Sequence, residues 1–389
     1  MRILVLGAGA TGSLLAQLLE RQGHTVWCGD RDLERARRFL GRKSTIPLVE
    51  VNARNLWGII RVGRRAQLVV NATASVFNEI ILRAALRLRA HYLDLSSQLT
   101  RHPFRAEQLR YARRFEAKNR VALINAGAAP GLTNLLVARG AEMLTAVESA
   151  RIYLFEEVES EDPISQWSPV VSFDEAVSRP RVYREGRFRL ERRFGEPETF
   201  RFADPVGAAR MWLAAQDEVA TLPHFIPMKN LEVKIGGNEI ERLRRWHRQG
   251  KLSRSRGLVS RRFPKTPTPR LVARMIRSGA LRNARFALAV VVRGMKDEQP
   301  MQVRWDCILP SLYQIRRGGL FTSPVAFATA HVAALFVRHF PRDLAGVYAP
   351  EALPAQTRRA ILEGVRARGF RLNVKTTALK PAEDDEGEL

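Results

Sequence analysis

Cysteine is nearly absent from this chain: Cys28 and Cys307 are the only two in 389 residues, and they lie far apart. Two such residues exclude a disulfide framework and suggest no metal site, so a cytoplasmic protein is expected. Long apolar runs are missing too. The least polar stretch, Leu320 to Val337, is broken by Thr322, Ser323, Pro324, Thr329 and His331. It falls short of the ~20 residues a membrane span needs. A buried helix capped by Ser323, with Pro324 at its first position, explains it better. The first residues lack the charged, apolar and small-residue succession of a secretory leader, because the opening apolar run reads as a core strand.

Acids are scarce as well: 39 Asp and Glu stand against 64 Lys and Arg, for a net charge of +25. The excess concentrates between Glu241 and Arg285, where fifteen basic residues accompany one acid. Two amphipathic helices frame this segment, one with Ile240, Leu243 and Trp246 inward, the other beginning at Thr268-Pro269. KLSRSRGLVSRRFPKTPTP between them reads as an exposed loop or flap. A nucleic-acid or anionic-surface binder acting through residues 242–285 is one reading of this charge. No base-stacking aromatic pattern accompanies it, so no specific nucleic acid is expected.

What is present is a hydrophobic fraction of 46%, enough for a folded core, in a chain long enough for two domains. It opens MRILVLGAGATGSLLA. Ile3 to Leu6 is an apolar run suited to a strand buried on both faces, and Leu14, Leu15, Leu18 and Leu19 recur at helical spacing up to Gly23. A second strand, Thr25 to Cys28, ends at Gly29-Asp30. Between first strand and helix lies Gly7-Ala8-Gly9-Ala10-Thr11-Gly12, a G-x-G-x-x-G turn in the order strand, turn, helix, strand, acid that a dinucleotide site requires. Gly7 permits the turn, Gly9 admits the pyrophosphate, Gly12 lets helix and strand pack closely, and the amides of Ala10, Thr11 and Gly12 face the phosphates. Asp30 is placed for the adenosine ribose and favours NAD; the neighbouring Arg31 and Arg35 suit the extra phosphate of NADP, which is the alternative.

Further along, a helix is expected over 33–40, short strands around 48–51 and 58–60, a strand at 68–70 ending in Asn71-Ala72-Thr73, a helix over 76–88, and a strand stopping at Asp94. Asn71, Ala72, Thr73, Asp94 and Ser96 at these strand ends are candidates for the nicotinamide side of the cofactor. Val121 to Ile124 is the next strand, followed by a loop from Gly127 to Gly131 and a helix over 133–143. In the second half, Leu231 to Ile235 alternates as a strand should, while Ala287 to Val292 and Met301 to Cys307 read as a hairpin.

GAGATG, HYLDLSSQ, NAGAAPGLTN and GVYAPEAL, with the looser QDEVATLPHFIP, together resemble the saccharopine dehydrogenase family, over residues 1 to about 372. This chain departs from many members in carrying Ala129 where they have Asp before Pro-Gly. The resemblance implies an α/β fold with an N-terminal Rossmann domain over 1–130 and a second, mainly antiparallel α/β substrate domain over 131–323. C-terminal helices over 324–372 would pack back on the first domain; beyond the resemblance, the tail over 381–389, with five acids and no aromatic, reads from its composition as disordered. The resemblance implies a dehydrogenase acting at a carbon–nitrogen bond of an amino acid or amine of the lysine or saccharopine type, with NAD(P), as a homodimer. A non-catalytic NAD-binding redox sensor is a second reading. Such chemistry needs a general base and groups for substrate carboxylates. Asp94 and Glu218 are the candidate catalytic pair, with His224 and Lys229 behind them, and Gly127, Pro130 and Gly131 are candidates for holding the substrate.

Overall fold

The computed structural model describes residues 1–99, 102–252 and 264–379. The proposed disordered tail and most of the 251–263 part of the proposed flap lie outside the described residues.

Continuous apolar runs build the first sheet. Ile3, Leu4, Val5, Leu68, Val69, Val70, Leu93, Val121 and Leu123 are all fully buried, as strands covered on both faces demand. Its strands are β1 (Arg2–Leu6), β2 (Thr25–Asp30), β3 (Leu48–Glu50), β4 (Leu68–Asn71), β5 (His91–Asp94) and β6 (Val121–Leu123). The order is 3-2-1-4-5-6, all parallel. That is the doubly wound dinucleotide-binding arrangement. Helices Ala10–Arg21, Leu33–Leu40 and Asn78–Leu88 supply the crossovers. Where a strand was expected at 58–60, the chain forms helix Leu56–Gly63 instead. The Asn55 side chain accepts from the Gly58 amide and starts that helix, and a cap decides so short an apolar run.

The second sheet contains β7 (Ala146–Ser160), β8 (Arg181–Arg184), β9 (Arg187–Leu190), β10 (Glu198–Arg201), β11 (Ala208–Leu213), β12 (Asn230–Gly236), β13 (Leu281–Lys296) and β14 (Gln299–Ile308). Every pairing is antiparallel except β7 with β12. The hairpin β13–β14 is longer than its sequence pattern implies. It turns through Asp297 and Glu298, both at positive φ.

After β14 the chain returns to the first domain. Helix Pro324–Arg338, capped by the Ser323 hydroxyl on the Ala326 amide, lies against helix Ala10–Arg21. β15 (Gly346–Tyr348) then extends the first sheet beyond β6, and β16 (Arg371–Ala378) crosses back to pair with β14. The two sheets are therefore stitched together by the C-terminal segment. Among the described residues no helix is long and apolar enough to cross a membrane.

Candidate active site

The glycine turn has the form a cofactor needs. Gly7 has φ of +92°, and a Cβ on Gly12 would lie 1.9 Å from the Gly7 carbonyl oxygen, so the fold itself requires both glycines. Gly9 differs: a Cβ there would meet nothing within 4 Å. The protein gives no reason for its being glycine, whereas a pyrophosphate approaching the backbone does. Helix Ala10–Arg21 begins without a side-chain cap, leaving its first amides for an anion. The Asp30 carboxylate accepts from the Ala8 amide at 2.8 Å and the Asp32 amide at 3.1 Å, so it holds the turn as well as placing a negative charge at the end of β2. Arg31 and Arg35 are exposed beside it.

The neighbouring strand ends are braced from within. Asn71, 1% exposed, donates to Asn78 and accepts from the Thr73 amide and hydroxyl. Its side chain orders the β4 turn and leaves Ala72, Thr73 and the Ser96 region to form the surface there.

Asp94 is placed differently from the expectation that its carboxylate faces the cleft. It is 1% exposed; one oxygen accepts from Gln108 Nε2 and the other from the Asn125 amide, each at 2.8 Å. The reason is local. The chain after β6 runs beside the end of β5, and its unpaired amide captures the acid. Burial pushes the Asp94 carboxyl up to about 7 against the hydrogen bonds that lower it.

Glu218 is likewise enclosed, at 0% exposure, accepting from the Thr133 hydroxyl at 2.7 Å. Beside this contact Asn134 donates to Thr221 and Glu351. These side chains form a buried joint among three segments distant in sequence. The structure thus does not bring Asp94 and Glu218 to one exposed point. His224 is exposed and bonded to the Phe104 carbonyl, and Lys229 is exposed. Gly127, Pro130 and Gly131 fold into a tight buried turn: the Gly127 amide bonds to the Pro130 carbonyl, the Gly131 amide to Asn134, and a Cβ on Gly131 would lie 2.0 Å from the Gly127 carbonyl oxygen.

What does face the cleft is a set of residues the sequence reading passed over. A cavity lies between the first-sheet strand ends, represented by Ser75 and Ser97, and helix Pro169–Val177 with Arg181 and Asp217. Arg181 has a side chain only 7% exposed and stands 3.9 Å from Asp217. Its buried Nε has no hydrogen-bond partner among the described residues, while Nη1 donates to the Gln216 carbonyl at 3.3 Å. Asp217 accepts from the Ser97 amide at 2.9 Å, tying the two domains together at the cavity wall. Burial raises its carboxyl to about 6, opposed by Arg181. Asp174 and Glu175 complete the polar lining.

Behind this cavity lies a second, narrow pocket, sharing Glu175, Ser178 and Ala215 with it. Its walls are largely apolar, with Trp167, Leu213, Ile235 and Leu243, yet Glu156, Glu175 and Glu239 all reach it. Burial is the main reason that all three of these carboxyls are raised. No group of three or more His, Cys, Asp or Glu among the described residues is placed to hold a metal.

A glycine-turn Rossmann sheet joined to a second mixed α/β sheet, with a charged cavity between them, is the build of an NAD(P)-binding fold of the dehydrogenase type. Residues 3–123 match the saccharopine dehydrogenase NADP binding domain. Among solved structures the chain is similar in fold to apo saccharopine dehydrogenase (L-Glu forming) from Saccharomyces cerevisiae. The TM-score is 0.68 at 13% identity, over 97% of this chain and 100% of that one. It is also similar to a meso-dapdh mutant with DAP from Clostridium tetani E88, with a TM-score of 0.42 at 11% identity, covering 92% and 95% of the two chains. A probable dehydrogenase from Thermotoga maritima gives 0.44 at 9% identity, covering 97% and 98%.

Proposed function

We propose that this protein oxidises an amino acid at a carbon–nitrogen bond, in the manner of saccharopine-type dehydrogenases, with NAD preferred over NADP because of the Asp30 charge. The observation that carries this reading is Arg181 buried beside the carboxyl groups of Asp174, Glu175 and Asp217 in the interdomain cavity. A guanidinium recognises a carboxylate bidentately, and the acids recognise an ammonium, so together they suit a zwitterion. The largely apolar pocket behind, reached by Glu156 and Glu239, is the direction in which a substrate arm with a cationic end would extend, as a lysine-like amine has.

Bound NAD(P) would take the hydride from the carbon bearing nitrogen. The amine must first lose a proton, and Asp217 is the group we assign to accept it. Its carboxyl near 6 is ionised at neutral pH and still basic enough for the task. Arg181 fixes the substrate so that this nitrogen lies against Asp217. Asp94 and Glu218 act as positioning residues: the first holds the loop after β6, the second holds Thr133 and the joint to Glu351. A redox sensor without turnover has the same glycine turn but no use for the cavity's charges.

The test is a pair of adjacent variants. Asp217→Asn is expected to lower kcat roughly a hundredfold or more, the usual cost of a lost acid–base group, and to abolish the acid limb of the pH profile near 6 while NAD affinity is unchanged. Glu218→Gln should keep that limb. A normal pH profile in Asp217→Asn would remove it from this role.

A further inference from the structure

The basic segment has a feature that its own sequence does not reveal. On the outer side of the second domain, an open groove runs between the chain at 191–197 and helix Asn238–Arg248. It adjoins a second hollow of about 710 Å³, the two sharing Pro197, Arg244 and Arg248. Folding brings cations here from three segments: Arg192 and Arg193 after β9, Arg210 from β11, and Arg244, Arg245 and Arg248 from the helix. None of the six has an ion-pair partner among the described residues. The acids of the 191–197 stretch are taken elsewhere, since Glu191 and Glu196 both pair with Arg184; Glu241 lies at the second hollow. The guanidinium of Arg244 is held 5.2 Å over the ring of Trp212. Burial, and then the charges of Arg193 and Arg192, keep the nearby His247 imidazole below its ordinary value.

We propose that this groove binds a small oligophosphate-bearing anion. Arg192, Arg193, Arg244 and Arg248 line the groove and Arg210 and Arg245 the adjoining hollow, so several guanidiniums can bond phosphate oxygens at once, whereas a lone surface arginine cannot. A single nucleic-acid strand fits less well, because Trp212 is 4% exposed and offers no face on which a base could stack. The site lies apart from the glycine turn and does not depend on the catalytic assignment.

Calorimetry of the full chain with inorganic tripolyphosphate, in the presence of saturating NADH so that the glycine turn is filled, tests this directly. One saturable site is expected, weakening as salt rises. It should weaken by at least roughly tenfold in Arg244→Ala/Arg248→Ala and again in the loop variant Arg192→Glu. Arg270→Ala/Arg282→Ala removes the same charge elsewhere and should leave binding unchanged. Equal weakening in both double variants would show diffuse attraction to a basic protein and overturn the proposal. So would tighter binding of a single-stranded DNA oligomer through the same arginines, or no saturable binding at all.

Discussion

Replacing Arg181 with Met is expected to lower kcat/KM for the amino-acid substrate by roughly 30- to 5,000-fold, the range that follows from the 2–5 kcal/mol lost when one partner of a buried charged contact is removed. Arg181 is 6% exposed, and Met preserves much of its aliphatic volume. The effect should therefore fall on binding of the carboxylate more than on folding. Two readouts separate this from general damage. NAD affinity should be unchanged, because Arg181 starts β8 in the second domain and is remote in sequence from the glycine turn. The wild-type preference for an amino acid over the same amine lacking its carboxylate should also disappear. Lys at this position should restore little, since a point charge on a flexible stem does not reproduce a planar fork. If Arg181→Met retained that preference, the carboxylate would be held by another group.

The second large effect is on stability, and its sign is unusual. Burial raises the carboxyls of Asp94, Glu218 and Glu351 to about 7 and that of Glu107 to about 8, against hydrogen bonds that lower them. In the unfolded chain such groups ionise near 4. Between those values the folded state holds more protons than the unfolded one, so stability falls as pH rises. What these groups contribute is fully present below about pH 4 and is lost as pH passes through 7 to 8. From pH 5.5 to 8, each should cost about 2 kcal/mol or more. Thermal unfolding of the protein without ligands should therefore show a Tm several degrees higher at pH 5.5 than at pH 8. Glu351→Gln, which keeps an acceptor for Asn134, should flatten the trend. A Tm that rises across this interval would show that the buried acids are ionised and paired in the folded protein.

The first domain was largely legible in the sequence because its signals are local. The glycine turn, the buried strands and the end of β2 at Asp30 depend on neighbours within a few residues. The same holds for the helix behind Ser323, whose cap and proline announce it. The short run at 58–60 failed because three apolar residues carry no period, and only the Asn55 cap distinguishes helix from strand.

The cavity was legible only in part. Asp217 and Glu218 are consecutive acids, and nothing in their spacing says which one turns toward the cleft. The contacts that decide it, with Ser97 and with Thr133, come from 120 and 85 residues away. Arg181 sits in a chain crowded with arginines, and its distinction is burial, which composition cannot show. Asp94 was found as the acid at a strand end, but the Asn125 amide that captures it belongs to the next strand's loop. A signal for the outer groove existed in the basic helix, while its other half, Arg192, Arg193 and Arg210, joins it only by folding.

The most direct measurement is nicotinamide absorbance of the purified protein with NAD and with NADP, against a panel of amino acids, the corresponding amines without carboxylates, and polyamines. Reduction of NAD in preference to NADP is expected, with an amino acid bearing a long cationic arm as the best donor and its decarboxylated counterpart much poorer. Tight binding of the cofactor with no turnover on any member of the panel would contradict the assignment of the Arg181 cavity as an active site and leave a redox-sensing protein in its place.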